Sequence, residues 1–339
     1  MSKRVLITGA LGTVGRGLTD ELRTRGHQVI GCDLYHSFDE QGFSLRSDLP
    51  DPTYARCDVS EFRQIERVIQ EMGPFDYVYH CAAEFGRWNG EDFYEALWLS
   101  NAVGTKNIIR LQERLKFGLI FFSSSEVYGD WPELMIEKVM DENEIKQLND
   151  YAMTKWVGEM QIRNSAYQYG TETVIVRLFN TYGPGEYYSP YRSVNCRFLY
   201  CALHGYPWVV FRGHYRTSTY LEDTVRTLAN IVNNFKAGEV YNIGGNEYHS
   251  IEELSDTILS STGADPALVE YRDSEILTTL IKKVDISKAE RDLGHKCTYD
   301  LKTGIGLTAD WMRDAYRDSV EERRSWSGYP LPSTAALRR

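Results

Sequence analysis

Val5-Leu6-Ile7-Thr8-Gly9-Ala10-Leu11-Gly12-Thr13-Val14-Gly15 sets three apolar residues ahead of a glycine turn, and an amphipathic stretch follows it to Arg25. That order reads as strand, turn and helix start. Gly9 permits the tight turn, Gly12 lets the backbone approach a pyrophosphate, and Gly15 allows close packing of helix on strand, with unpaired N–H groups at the helix start facing the phosphates. Gln28-Val29-Ile30-Gly31-Cys32 reads as a second strand, and Asp33 stands at its end, eighteen residues after Gly15. A carboxylate there accepts hydrogen bonds from both adenosine ribose hydroxyls and repels a 2′-phosphate. The segment therefore predicts a dinucleotide site for NAD rather than NADP.

The rest of the 339-residue chain has the charged and apolar fractions of an ordinary soluble protein. A net charge of −10 without a sustained basic run argues against nucleic acid or an anionic membrane as partner. Cysteines at 32, 57, 81, 196, 201 and 297 lack paired spacing, which fits reduced thiols and a cytoplasmic location. No C-x-x-C or H-x-x-x-H occurs, so no metal site is expected. The N-terminus runs directly into a strand, which argues against a signal peptide, and no apolar stretch approaches membrane-spanning length.

Strand-like and helix-like segments alternate through the first half, predicting an α/β fold: a doubly wound parallel sheet of the Rossmann type with a smaller C-terminal substrate-binding lobe. Strands are read near 4–8, 28–33, 53–57, 76–81, 118–123 and 173–179, and helices near 13–25, 61–72, 91–114 and 150–169. A helix near 221–235 and a strand near 239–243 rejoin the sheet. The NAD-binding unit is expected over 1–179 with 221–245 returning to it, and the lobe over 180–220 and 246–320, above the carboxyl ends of the strands. Residues 325–339 turn to Ser, Gly, Pro and Arg without periodicity and read as a flexible tail.

Tyr151 and Lys155 stand four apart on one helix face, a spacing that lets an ammonium favour the phenolate. Upstream, Leu119-Ile120-Phe121-Phe122 leads into Ser123-Ser124-Ser125-Glu126-Val127-Tyr128-Gly129, which places hydroxyls and a carboxylate at the carboxyl end of a central strand. A nicotinamide ring belongs at that edge. Tyr151 there accepts a proton from a sugar or alcohol hydroxyl while hydride leaves the same carbon.

With these residues in place, the chain resembles an extended short-chain dehydrogenase/reductase of the nucleotide-sugar epimerase/dehydratase group. The matching positions are T-G-x-x-G-x-x-G at 8–15, Asp58-Val59, His80-Cys81-Ala82-Ala83, Asn101-x-x-Gly104-Thr105, the serine-rich run at 123–129, Y-x-x-x-K at 151–155, and Arg177 through Pro184. The resemblance implies that Asp58 and Val59 flank the adenine, that Ala82 and Ala83 line the cofactor channel, and that Asn101 stands behind the nicotinamide. Thr13, Val14 and Ser123 join the glycines in holding the cofactor. Glu84 and Asn180 face the substrate, a nucleotide-diphosphate sugar, and Arg192 and Arg216 approach its diphosphate, where a guanidinium fork suits two phosphates.

Within that group, Glu126 implies more than epimerisation. Ser125 holds the C4 oxygen, Tyr151 takes its proton, Lys155 orients the nicotinamide ribose and lowers the phenol's pKa, and Glu126 abstracts the C5 proton made acidic by a C4 ketone. A 4,6-dehydratase is the leading expectation, with UDP-glucuronate decarboxylase and then C4 epimerase as alternatives. An NAD-binding scaffold without activity is the rival from another class. NAD is expected to stay bound, with no net redox.

Four departures stand out. Thymidine-diphosphate-glucose dehydratases carry an Asp where this chain has Ser125, Gly183-Pro184 is followed by Gly185-Glu186, the turn before Arg216 reads Arg212-Gly213-His214-Tyr215, and Glu84 to Asp92 is unfamiliar. Tyr187, Tyr188, Tyr191 and Trp208 either stack on a nucleobase or pack within their own lobe. A homodimer is expected through the helices near 91–114 and 150–169, with Trp98, Leu111, Trp156 and Met160 as seam candidates.

Overall fold

The computed structural model describes residues 1–35, 53–273 and 275–317. Six strands are labelled in chain order: Arg4–Thr8 (β1), Gln28–Asp33 (β2), Tyr54–Arg56 (β3), Tyr77–His80 (β4), Gly118–Ser124 (β5) and Thr173–Leu178 (β6). With Val240–Ile243 they form one parallel seven-stranded sheet, in which that last strand lies beside β6 and the order continues β5-β4-β1-β2-β3. All seven residues of β5 are buried, the continuous apolar pattern of a strand covered on both faces. The strand order reverses at β1, between β2 and β4, and that crevice is where open α/β sheets bind ligands.

Helices cover both faces. They are Thr13–Thr24 (α1), Phe62–Met72 (α2), Arg87–Asp92 (α3), Tyr94–Trp98 (α4), Gly104–Leu115 (α5), Val139–Glu142 (α6) and Asp150–Tyr169 (α7). The helix expected over 91–114 is therefore broken. Phe93 leaves helical geometry at φ −132° and ψ 53°, and a π-helical turn follows over Leu99–Val103. Such turns insert one residue into the helix and often mark functional positions; this one carries Asn101. At the start of α7 the side chain of the capping residue Asn149 accepts from the Ala152 N–H at 2.8 Å, which fixes the helix start one residue before Tyr151.

Later segments supply a second core of Tyr182, Leu199, Trp208, Leu254, Ile258, Ile305 and Met312. Leu221–Asn230 returns to pack on α1, and Ser287–Leu293, a short helix the sequence reading lacks, packs on Val240–Ile243. The lobe is stitched by two short strand pairs, Trp208–Phe211 with Val269–Arg272 and Tyr215–Thr217 with Tyr248–Ser250. Pieces of three or four residues carry too little alternation to be read in advance. No helix among the described residues is long and apolar enough to cross a membrane. The expected tail at 325–339 lies outside the described residues.

Beneath the sheet's carboxyl edge, Arg177 of β6 and Glu159 of α7 form an ion pair with both side chains 0% exposed. Arg177 Nε and Nη2 donate to the two carboxylate oxygens at 2.9 and 2.7 Å, and the Ser123 hydroxyl donates to Oε1 at 2.6 Å. The pairing raises the Arg177 pKa although burial alone would lower it. Glu159→Ala leaves a buried guanidinium without its partner. Urea denaturation is expected to show a loss of about 3–5 kcal/mol.

Candidate active site

A cleft of about 1090 Å³ runs along the carboxyl ends of the strands and up under the lobe. Single small-molecule pockets run to roughly 1,000 Å³, so this space is large enough for more than one ligand to lie end to end.

Its first half is built on the glycine turn. Gly9 has φ +71°, a left-handed conformation that favours glycine, and a Cβ there would come 2.7 Å from the Ala82 nitrogen. At Gly15 a Cβ would sit 2.1 Å from the Gly9 carbonyl oxygen. Thr13 and Val14 line the same wall. Asp33 is held by backbone donors, Leu11 N–H at 2.9 Å and Leu34 N–H at 2.7 Å, while burial raises its pKa. Asp58 accepts from the Ser60 N–H and hydroxyl, and Val59 packs against Gly104 at the start of α5. Ala82 and Ala83 line the channel between these walls.

Asn101 donates to the Glu84 carbonyl and the Thr154 hydroxyl at 2.9 and 3.0 Å, yet its buried Oδ1 has no partner among the described residues. Asn101 itself does not line the cleft; it fastens the π-helical turn behind the cleft wall. The glycine cradle and the Asp33 carboxylate at the end of β2 fit a dinucleotide.

The second half holds the reactive groups. Ser123, Ser124, Ser125, Glu126, Tyr151 and Lys155 converge on the cleft. The structure differs from the sequence reading in four respects here. First, Ser124 is the serine whose hydroxyl faces the Tyr151 phenol and favours its ionisation, while it also accepts from the Glu126 N–H at 3.2 Å. The sequence reading assigned the C4 oxygen to Ser125 and passed over Ser124. The signal was the alternation along β5, which directs the Ser123 hydroxyl away to Glu159 and ends at Ser124, where the strand turns into a 3-10 turn over Ser125–Tyr128.

Second, Lys155 is turned to a backbone carbonyl and not to the phenol oxygen. Its ammonium donates to the Phe122 carbonyl at 2.9 Å and lies 5.9 Å from the Tyr151 ring centre. Burial pushes the phenol up to about 12 and draws Lys155 down to about 8.

Third, Glu126 is not a lone carboxylate. It forms an ion pair with the buried Lys282, and Asn149 Nδ2 donates to it at 3.3 Å. Burial raises the carboxyl, but Lys282, Arg87 and Arg216 outweigh it and hold the group at about 2. Burial in turn brings Lys282 down to about 8 despite the carboxylate. Nothing local marks Lys282 in the sequence, where it sits in an Ile-Lys-Lys-Val run 156 residues from Glu126.

Fourth, Trp208 leaves the proposed base-stacking set. It is 1% exposed in the lobe core and donates to Ser255 at 3.0 Å, whereas Tyr187, Tyr188 and Tyr191 line the cleft.

The expected substrate residues all reach this half. Glu84 accepts from Asn89 at 2.9 Å, and Asn180 lines the cleft at φ +41°. Arg192 lies over the Phe85 ring at 4.2 Å with a buried Nε unpaired among the described residues. Arg216 is 6% exposed and donates to the Tyr215 and Leu280 carbonyls and to Thr278.

Comparison with known proteins agrees with this geometry. The model of the "NAD dependent epimerase/dehydratase family" matches residues 5–244. A UDP-N-acetyl-alpha-D-glucosaminuronate decarboxylase of Bacillus cytotoxicus is 28% identical over 331 residues, covering 94% of this chain and 100% of the relative. UDP-glucuronic acid decarboxylase 1 of Xenopus tropicalis is 28% identical, covering 99% of this chain and 77% of its own. Among solved structures, an epimerase of Methanothermobacter thermautotrophicus superimposes with a TM-score of 0.82 at 28% identity, covering 93% of this chain and 94% of the other.

Wild-type protein is expected to carry NAD through purification. Gly15→Val should lose it, because even a Cβ at this position meets the Gly9 carbonyl. Cofactor released on acid denaturation is the readout, with a thermal melt to confirm folding, and full NAD content in the folded variant would contradict the cradle.

Proposed function

The chain belongs to the NAD dependent epimerase/dehydratase family, and from that premise we propose that it oxidises a nucleotide-diphosphate sugar transiently at C4 and then decarboxylates it at C5. The Glu126–Lys282 pair beside Tyr151 carries this reading. Elimination of water from C6 requires a base at C5 and an acid at the leaving hydroxyl. Glu126, held at about 2, is a weak base, and Ser125 offers a hydroxyl where an acid is needed. Loss of carbon dioxide from a β-keto acid needs neither.

NAD, when bound, would supply the hydride acceptor and later the hydride donor for C4. Ser124 and Tyr151 hold the C4 oxygen, and Tyr151 accepts its proton once ionised. Gly9, Gly12, Gly15 and Asp33 hold the dinucleotide, and Lys155 orients its nicotinamide ribose. When the C5–C6 bond breaks, its electron pair moves to C5 and the C4 carbonyl as an enolate. Lys282, protonated and drawn down to about 8, is placed to return a proton to C5, and Glu126 holds that ammonium in position. Dehydration at C6 remains the second reading, favoured by the presence of a carboxylate at residue 126. All six cysteines are free thiols, which supports the cytoplasm as the compartment.

A panel of nucleotide sugars followed by mass separates the readings. A loss of 44, or of 46 if the ketone is released, is the expected result. A loss of 18 would mean dehydration, no mass change with an altered sugar spectrum would mean epimerisation, and no product from any sugar would support a scaffold. Tyr151→Phe and Lys282→Met should each lower kcat by at least about 100-fold while NAD stays bound. Wild-type kcat should decline as pH rises through about 8, where Lys282 loses its proton.

Pairing of two copies through α5 and α7 is also proposed, with a revised seam. Leu111 is 0% exposed in the core, and Trp98 donates to Asp150 at 2.9 Å. Trp156 packs partly buried beside Tyr128. Val103, Met153 and Met160 are exposed instead, at 44%, 38% and 45%. Light scattering should give a dimer that Met160→Lys weakens.

A further inference from the structure

Arg87 opens α3 on the sheet side of the cleft, and His214 lies on the lobe side, in the turn between Trp208–Phe211 and Tyr215–Thr217. Both line the cleft. Arg87 Nη2 pairs with Glu275 Oε1 at 2.5 Å, with the two side chains 15% and 9% exposed, and Trp88 Nε1 donates to the same oxygen at 3.4 Å. This clasp joins the two walls but leaves donors unused. Arg87 Nη1 is buried without a partner among the described residues, and so are both ring nitrogens of His214, a residue 1% exposed. Each unmade bond costs about 1–3 kcal/mol, a cost a folded protein carries where a ligand makes the bond.

The order of groups along the cleft indicates which part of a ligand reaches them. Ser124, which faces the Tyr151 phenol, accepts from the Glu126 N–H, Glu126 pairs with Lys282, and Arg87 and Arg216 line the same cleft near enough to act on the Glu126 carboxylate. A sugar whose C4 oxygen lies on Tyr151 therefore extends C5 and its substituent past Glu126 toward Lys282 and Arg87. We propose that Arg87 and His214 form the subsite that receives the carboxylate on C5, with Arg87 Nη1 and one imidazole N–H donating to its two oxygens and Glu275 fixing the guanidinium from behind. This assignment rests on the acidic-sugar reading above and adds the residues that select the acid. Arg216 is less suited to the task, since its guanidinium already donates to two carbonyls and Thr278.

The test is calorimetric binding of UDP-glucuronate, UDP-glucose and UDP to the NAD-loaded full chain, in a Tyr151→Phe background that cannot turn over. The parent should prefer UDP-glucuronate to UDP-glucose by about tenfold or more, equivalent to about 1.4 kcal/mol. Arg87→Gln and His214→Ala should each remove most of that preference while changing the affinity for UDP and UDP-glucose by less than about twofold. Arg87→Lys should retain part of it, which separates lost charge from lost folding. A parent without preference, or one that binds none of the three, overturns the acidic-sugar reading and this subsite with it. A parent that prefers the acid alongside variants that still do overturns the subsite alone. Equal weakening of UDP by Arg87→Gln would make Arg87 a diphosphate ligand and would also overturn it.

Discussion

The buried pair between Arg177 and Glu159 holds the reactive edge together. Arg177 leaves β6, Glu159 leaves α7, and Ser123 joins them from β5, so one guanidinium and one carboxylate tie together the two strands and the helix that present Tyr151, Lys155 and the serine run. Arg177 Nη1 also donates to the Tyr128 hydroxyl at 3.0 Å and the Glu137 carbonyl at 2.9 Å, which extends the network to the turn carrying Glu126. A buried ion pair adds little net stability over an apolar replacement, but its directional bonds fix where each element stands. The distance between the phenol, Ser124 and Glu126 is set from below the sheet, on the side away from substrate.

Much of the fold was legible because the sheet is parallel and covered on both faces. Strands such as β5 read as unbroken apolar runs, and the glycine turn with Asp33 located the crevice before any coordinate was known. The broken helix was not legible. Residues 91–114 keep helical composition throughout, and neither the break at Phe93 nor the π-helical turn leaves a mark in it. The Tyr151 and Lys155 spacing put both on one face as expected, but spacing says nothing of which carbonyl the ammonium finds. The same limit hid Lys282, whose meaning comes from a carboxylate 156 positions away. A charged residue in a basic pair reads as solvated surface until the fold buries it.

Glu126 and Lys282 also change how the cleft's charge is understood. Read from sequence, Glu126 is a free base. In the structure its charge is balanced: the surrounding cations keep the carboxylate ionised, while burial draws the Lys282 ammonium beside it down to about 8. Proton donation, rather than proton abstraction, is the chemistry this pair favours.

The path of the chain between the sheet and the lobe has a mechanical consequence. It leaves the sheet after β6, returns with Leu221–Asn230 and Val240–Ile243, leaves again for Tyr248–Ser250, and comes back with Ser287–Leu293. A lobe joined by a single linker can swing in any direction, whereas one tied at several crossings loses part of that freedom with each of them, as a door does with each hinge. Opening of this cleft therefore has to bend several chain segments at once. The Arg87–Glu275 clasp is one more tie between the two walls of the cleft.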